Sequence, residues 1–141
     1  MVGVTDVEAV RAIARMSRVL ERACGDLSMA HYRVLSAVAD GDERASRVAR
    51  RLALGKPTIS ASVEALCRRG LLTREDVSDD QRAVTLRLTP AGTAALRTVE
   101  SAMSERLAGV LAQTARPADT MAALCRLGSG IDRFVAQRVG A

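Results

Sequence analysis

Aromatic residues are nearly missing from this 141-residue chain: Tyr32 and Phe134 stand alone, and there is no Trp. With 48% of the residues hydrophobic, a core must be assembled from Ala, Val, Leu, Ile and Met, a set suited to helices packed closely on helices. No apolar run reaches the roughly 18–20 residues that a bilayer span requires, and the opening MVGVTDVEAVRA lacks the basic and apolar regions of an export signal. The expectation is a cytoplasmic protein with no membrane partner. Cys24, Cys67 and Cys125 are odd in number and widely spaced, which argues against a disulfide framework and against a zinc knuckle. His31 is the single histidine and cannot complete a coordination set with them, so neither a metal nor another cofactor is expected. Also lacking are a phosphate-cradling glycine motif, a His–Glu metal motif and any Cys/His/Asp grouping at interpretable spacing. Asp79 and Asp80 are adjacent carboxylates, but in a polar turn they stay solvated and untuned for acid–base work. No catalytic residue is assigned, and an enzyme is not expected.

Positive charge is present and unevenly placed. Residues 44 to 74 hold Arg44, Arg47, Arg50, Arg51, Lys56, Arg68, Arg69 and Arg74 against Glu64 alone, while the formal net charge of the whole chain is only +5. A basic middle between acidic flanks is the footprint of a module that binds a phosphate backbone. Lys56 is the only lysine, which points to a GC-rich coding bias; that bias accounts for the choice of Arg over Lys but not for where the charges cluster.

The chain divides into three parts without a low-complexity linker or an internal repeat. Residues about 5 to 24 read as a helix with Val7, Val10, Ile13, Ala14, Leu20 and Cys24 roughly on one stripe, stopped at Gly25. Ser28 is placed to cap a second helix reaching about Asp40, with Val34, Leu35 and Val38 inward. A short helix of about ten residues follows, carrying Ala45, Val48, Ala49 and Leu52, and Leu54–Gly55 then makes a tight turn.

The next helix begins near Lys56, with Pro57 suited to the first helical position because its missing amide hydrogen would be unpaired there anyway. At 100° per residue, Ile59, Val63, Leu66 and Gly70 fall in one sector and are expected to face the core. Pro57, Thr58, Ser60, Ala61, Glu64 and Arg68 take the opposite side. Small residues on the outer face of the first two turns let a helix sink into a major groove, and the long Arg further along meets a phosphate. Leu71 to Thr89 then reads LLTREDVSDDQRAVTLRLT, two strand-like runs around a polar tip. In the second run Val84, Leu86 and Leu88 alternate with Ala83, Thr85, Arg87 and Thr89, as a half-buried strand requires. Ser78, Asp79, Asp80 and Gln81 supply turn chemistry. Arg82 stands where such a hairpin would offer a guanidinium to a narrow minor groove, and Asp80 is positioned to hold it.

These residues resemble the MarR (multiple antibiotic resistance regulator) family of dimeric winged helix-turn-helix transcription factors. The most specific match is Asp80-x-Arg82, five residues, then Leu88-Thr89, which follows the family's wing pattern D-x-R-x5-L-T and continues as Pro90-x-Gly92. LSMAHYRVL (27–35), SRVARRL (46–52) and KPTISASVEALCRRGLL (56–72) support it, with His31 where Gln is more usual and Tyr32 at the usual aromatic position. The resemblance implies a mainly α fold with a small β-hairpin wing: an N-terminal dimerisation helix (1–26), a winged helix-turn-helix lobe (27–89) and C-terminal dimerisation helices (90–141). It implies a homodimer on double-stranded DNA at a pseudo-palindromic operator, with the Lys56 helix in the major groove and Arg82 in the minor groove. Lys56, Pro57, Thr58, Ser60, Ala61, Arg68, Arg69, Arg74, Asp80 and Arg82 are the DNA-contact candidates.

Beyond the wing, Thr89 caps and Pro90 starts a long helix to about Ala115, in which Leu96, Val99, Met103, Leu107 and Leu111 form a stripe that wants a partner. A break at Arg116–Pro117 restarts a final helix with Met121, Leu124, Cys125, Ile131 and Val135 apolar. Interlocked terminal helices of two chains would set the recognition helices about 34 Å apart, one duplex turn. Gly128-Ser129-Gly130 departs from a regular helix, since each glycine costs roughly 0.8–1 kcal/mol relative to Ala. It predicts a kink.

For the signal sensed, the resemblance implies a small anionic or phenolic ligand in the angle between dimerisation helices and lobe. Tyr32, with His31 and Arg33 nearby, is the candidate set. Oxidant sensing would use Cys24, at a helix end that disfavours the thiolate, or Cys67, beside Arg68 and Arg69; Cys125 reads as a packed apolar residue. The expected function is a dimeric, sequence-specific transcriptional repressor released by a small ligand. An oxidant-sensing regulator and an architectural or protein-interaction winged-helix module stand as alternatives.

Overall fold

The computed structural model describes residues 4–41, 43–76 and 84–139, so the hairpin tip with Asp80 and Arg82 lies outside the described residues. Six helices and one hairpin follow in the order α1 (Val4–Ala23), α2 (Met29–Ala39), α3 (Ala45–Arg51), α4 (Lys56–Arg68), β1 (Leu72–Asp76), β2 (Val84–Leu88), α5 (Pro90–Leu111) and α6 (Pro117–Val139). This is the mainly α, winged architecture expected. Each boundary has a local cause. Ser28 Oγ accepts from the His31 amide to open α2, and Thr89 Oγ1 accepts from the Gly92 amide to open α5. Helix α3 is shorter than expected because Ala53 turns into the left-handed region at φ 53°, and the Leu54 amide returns to the Ala49 carbonyl. Helix α5 ends at Leu111 rather than near Ala115, where the Thr114 hydroxyl donates to the Leu111 carbonyl.

The core is built from side chains of every element of the lobe. Leu35 and Val34 of α2, Val48 of α3, Leu66 of α4, Leu72 of β1 and Leu86 of β2 are fully buried. Burial of each such side chain is worth about 1.5–3 kcal/mol. Cys24, just after α1, and Leu96, Val99 and Met103 of α5 belong to the same cluster. This corrects the expectation for α5, whose stripe finds its partners largely within the protomer, against α1 and α2. Leu111 is buried too, and Leu107 is half-buried.

The apolar surface without an intrachain partner lies elsewhere. Val10 (64% exposed) and Ile13 of α1, with Leu127, Ile131 (52%) and Phe134 (55%) of α6, face outward. Helix α6 runs uninterrupted through Gly128-Ser129-Gly130 and touches the rest of the chain mainly at α3 and α5. Cys125 is exposed, contrary to the packed position expected of it, on a helix that touches the described remainder of the chain mainly at α3 and α5.

Candidate nucleic-acid interface

The sequence of α4 sets which of its sides is free. Ile59, Val63 and Leu66 are buried, joined by Ser62, while Lys56, Pro57, Thr58, Ser60, Ala61, Glu64 and Arg68 are exposed. Pro57 occupies the second helical position after the Gly55 cap, where its missing donor is equally harmless. Gly70, expected in the core sector, is instead exposed at φ 72°. It closes α4 with its own amide bonded to the Cys67 carbonyl and the Leu71 amide to the Leu66 carbonyl, a left-handed cap that glycine adopts freely. The outward face of α4 therefore carries short side chains over two turns and Arg68 at its end, loosely paired with Glu64 at 4.0 Å. Arg69 lies at the C-cap and turns back, its Nη1 donating to the Asp26 carbonyl at 3.4 Å. Of the two arginines only Arg68 sits on the outward face.

The hairpin continues from that cap. Strands β1 and β2 pair antiparallel with Leu72 opposite Leu88, Arg74 opposite Leu86 and Asp76 opposite Val84. Leu86 anchors the hairpin in the core while Arg74 and Arg87 remain exposed. On the far edge Arg44 makes a bridge with Thr85, so the start of α3 is tied to the hairpin. Helix α3, tight turn, helix α4 and hairpin form one unit whose outer surface also includes the exposed Arg47 and Arg50. A first helix crossing a phosphate backbone, a second helix presenting small polar groups and a basic hairpin together suit a duplex groove.

Two junctions between elements went unread in the sequence, although Thr89 of the first was read as a helix cap. The Thr89 hydroxyl donates to the Gly70 carbonyl at 2.6 Å while accepting from the Gly92 amide at 2.9 Å, joining the end of α4 to the start of α5. Gly92 packs so closely on the Leu71 backbone that a Cβ there would lie 2.9 Å from the Leu71 carbonyl carbon and closer still to its oxygen. Both residues stand in the Leu88-Thr89-Pro90-x-Gly92 stretch, so the signal was a motif without an evident physical reason. The second junction is Arg51, whose Nη2 is 2.9 Å from Asp40 Oδ2 and whose Nε is 3.8 Å from Asp132 of α6.

The residues considered for signal sensing do not converge. Tyr32 lines a pocket of about 310 Å³ with Leu20, Glu100, Met103, Ser104 and Leu107, and its hydroxyl donates to Glu100 Oε1 at 3.3 Å. Burial and the neighbouring Glu100 carboxylate push the phenol above its usual pKa. His31 and Arg33 do not line this pocket; burial, then the charge of Arg69, lowers the His31 pKa. Cys24 is buried, its thiol donating to the Leu20 carbonyl at 3.6 Å, and burial followed by Glu21 raises its pKa, which opposes thiolate chemistry. Cys67 is half-buried on α4. Among the described residues no group of three His, Cys, Asp or Glu could hold a metal ion, and no helix is long and apolar enough to cross a membrane.

Comparison with known proteins bears directly on this geometry. The MarR family model matches residues 25–83, and no curated protein matches the sequence. The PcaV transcriptional regulator of Streptomyces coelicolor, solved with its natural ligand, is 27% identical at a TM-score of 0.69, over 92% of this chain and 89% of that one. A MarR-family transcriptional regulator from Silicibacter pomeroyi is 26% identical at a TM-score of 0.70, over 93% and 90%. The MOSR regulator of M. tuberculosis, solved in complex with DNA, shares the fold at 21% identity and a TM-score of 0.65, over 90% and 95%. Residues 25–83 match the MarR family model, and over nine-tenths of its length the chain is similar to solved transcription regulators, which makes it a DNA-binding transcription regulator similar to that family.

Proposed function

We propose that the protein works as a homodimeric repressor that occupies a pseudo-palindromic operator and leaves it when a small ligand binds. The observation that carries this reading is the pairing of two surfaces on one chain: a groove-fitting face on α4, flanked by arginines, and an uncovered apolar face on α1 and α6. A single recognition helix makes few base contacts, and a second copy supplies the other half-site. Burying Val10, Ile13, Ile131 and Phe134 against that copy removes an exposed apolar patch that a monomer would otherwise show to water. Thr58, Ser60 and Ala61 read base edges, Lys56, Arg68 and Arg74 meet phosphates, and Arg82, with Asp80, is assigned to the minor groove as the wing pattern implies. The relief of repression is assigned to the Tyr32 pocket, between α1, α2 and α5; that a regulator of this fold takes a ligand has a precedent in PcaV, solved with its own. Its one charged wall is Glu100, which suits a phenol hydroxyl donating to the carboxylate rather than an anion.

The test is a nuclease footprint of the purified protein on DNA flanking its own gene, with sedimentation of the same sample. A two-fold protected site of about two helical turns, bound by a dimer and cleared by a phenol, is the expected result. Salt-sensitive coating with no defined site would overturn the reading and move the protein to the architectural class.

A further inference from the structure

Helix α1 has three sides. Met16, Val19, Leu20 and Ala23 are half-buried on the side turned to the lobe and α5. Val10 and Ile13 belong to the exposed apolar side assigned above to a second copy. The third side is basic. Arg11, Arg15, Arg18 and Arg22 follow at i, i+4, i+7 and i+11, all exposed, and at 100° per residue they fall within about 60° of one another around the helix. Arg18 is paired with Glu21 at 2.7 Å, while Arg11, Arg15 and Arg22 make no ion pair among the described residues. The row is about 16 Å long at roughly 1.5 Å per residue. Like charges three and four residues apart repel, so the row costs stability unless something negative lies along it. Neither the core nor the apolar contact with a second copy needs it. Its C-terminal end lies against the helix that presents the groove-fitting face. Asp26, four residues past Arg22, offers its carbonyl to Arg69 at the C-cap of α4 at 3.4 Å. Arg33 of α2 is near enough to Cys24 to oppose, by its charge, the rise that burial and Glu21 impose on the thiol pKa. From Arg68 and Arg69, past Arg33, positive charge leads onto α1.

We propose that the arginine row of α1 is a second DNA contact, which takes the phosphate backbone of the duplex where it runs on beyond the operator. The proposal rests on the reading of the protein as an operator-binding regulator. A lone small anion would meet only two neighbours in such a row, whereas an extended polyanion meets all of it. Duplex DNA carries a negative charge per roughly 1.7 Å of axis, so it meets the row in any register. An acidic protein helix would instead need carboxylates placed to match the 4-3-4 spacing. Guanidinium forks suit phosphate oxygens, and the continuity of charge with the end of α4 favours the duplex that α4 already engages. Contacts of this kind carry no sequence information. They add affinity, steepen the salt dependence and draw the flanking duplex toward α1 at positions the wing and α4 never touch.

The test compares the full-length protein with a variant carrying Arg11→Gln, Arg15→Gln, Arg18→Gln and Arg22→Gln on DNA flanking its own gene, by nuclease footprint and by affinity across a salt series. With Arg18 already paired, the slope of log K against log salt should fall by about three per chain, and affinity at physiological salt by about tenfold. Protection should retract to the central two turns, and on a duplex trimmed to about those two turns both proteins should bind alike. Replacing the same four residues by Lys keeps the charge and should keep the slope. The four positions are exposed and Gln is a good helix former; Arg11→Gln with Arg15→Gln alone, at the end farthest from the lobe, should give about half the effect or more. A defined site with the same edges and the same slope in both proteins would overturn the proposal, as would an equal loss on the trimmed duplex. An unchanged slope with loss of poly-glutamate binding in the Gln variant would assign the row to an acidic protein instead. No defined site in either protein is the separate failure of the regulator reading, and it takes this proposal with it.

Discussion

Helices α5 and α6 are alike in length and in apolar spacing, yet they end in opposite situations. Leu96, Val99 and Met103 of α5 are about 5–7% exposed and complete the lobe's core, while Leu124, Leu127, Ile131 and Phe134 of α6 are 36–55% exposed. The difference lies in what each helix is tied to. Helix α5 is fastened at its first turn by Thr89, which joins it to the end of α4, and by the bare Cα of Gly92 seated on Leu71, so its stripe is delivered to α1 and α2. Helix α6 follows a turn far from that root and meets the lobe mainly along α3, where Arg51 faces Asp132. An amphipathic pattern states that a face will be buried; the tether decides whether the same chain or another one buries it.

That contrast breaks most sharply under substitution of matched positions. Leu96→Ala should destabilise the protomer by about 2–5 kcal/mol in chemical denaturation at any protein concentration, since it opens a cavity in a closed core. A loss that shrinks as the protein is concentrated would place Leu96 in an intermolecular contact instead. Ile131→Asp, by contrast, should leave the helical circular dichroism of the protomer intact and weaken self-association by about 2 kcal/mol or more, roughly thirtyfold, seen as a shift to monomer in sedimentation. An unchanged sedimentation coefficient would remove α6 from the dimer interface.

The root of α5 can be tested next. A Cβ at position 92 collides with backbone rather than with a movable side chain, so Gly92→Ala should cost about 1–3 kcal/mol and loosen the wing with the helix, measured as faster amide exchange in β1 and β2 together. Exchange that changes in α5 alone would uncouple the two. A smaller effect of opposite sign is expected in the turn between α3 and α4. Ala53 is the one non-glycine with positive φ among the described residues, and Ala53→Gly should relieve its left-handed strain for a gain of about 0.5–1 kcal/mol, after the greater freedom of glycine in the unfolded chain is counted. Loss of stability there would mean that the Ala53 methyl has a packing role.

Most of the DNA-binding lobe was legible in the sequence because its signals are local. Ser28 and Thr89 are capping residues by chemistry, the spacing of Ile59, Val63 and Leu66 fixes one face, and the alternation around Leu86 fixes a strand. Gly70 was misplaced because helical spacing was carried one turn past the point where the chain goes left-handed. The partner of the α5 stripe was misassigned because periodicity carries no information about which surface arrives from another part of the chain. The pocket at Tyr32 and the Arg51 junction join residues 68 and 81 positions apart, Tyr32 with Glu100 and Arg51 with Asp132, and no local pattern marks either pair. Consecutive candidates such as His31, Tyr32 and Arg33 could not all serve one pocket, since each step along a helix turns the side chain by 100°.

The least effect belongs to His31, and it too separates the two regions, because α6 carries no histidine. Partial burial, then the positive charge of Arg69, lowers the pKa of His31 below its usual 6.5 in the folded chain. As the pH falls from 6.5, the unfolded chain takes up this proton before the folded one does. Unfolding is then coupled to proton uptake, so the contribution of His31 is fully present above pH 6.5 and is lost as the pH drops through the folded value. His31 is partly solvated, which keeps the effect small. His31→Gln preserves the backbone donor that Ser28 holds and should flatten the fall in Tm between pH 6.5 and 5 without moving Tm at pH 8. If the slope is the same in both proteins, acid sensitivity in that range does not come from His31.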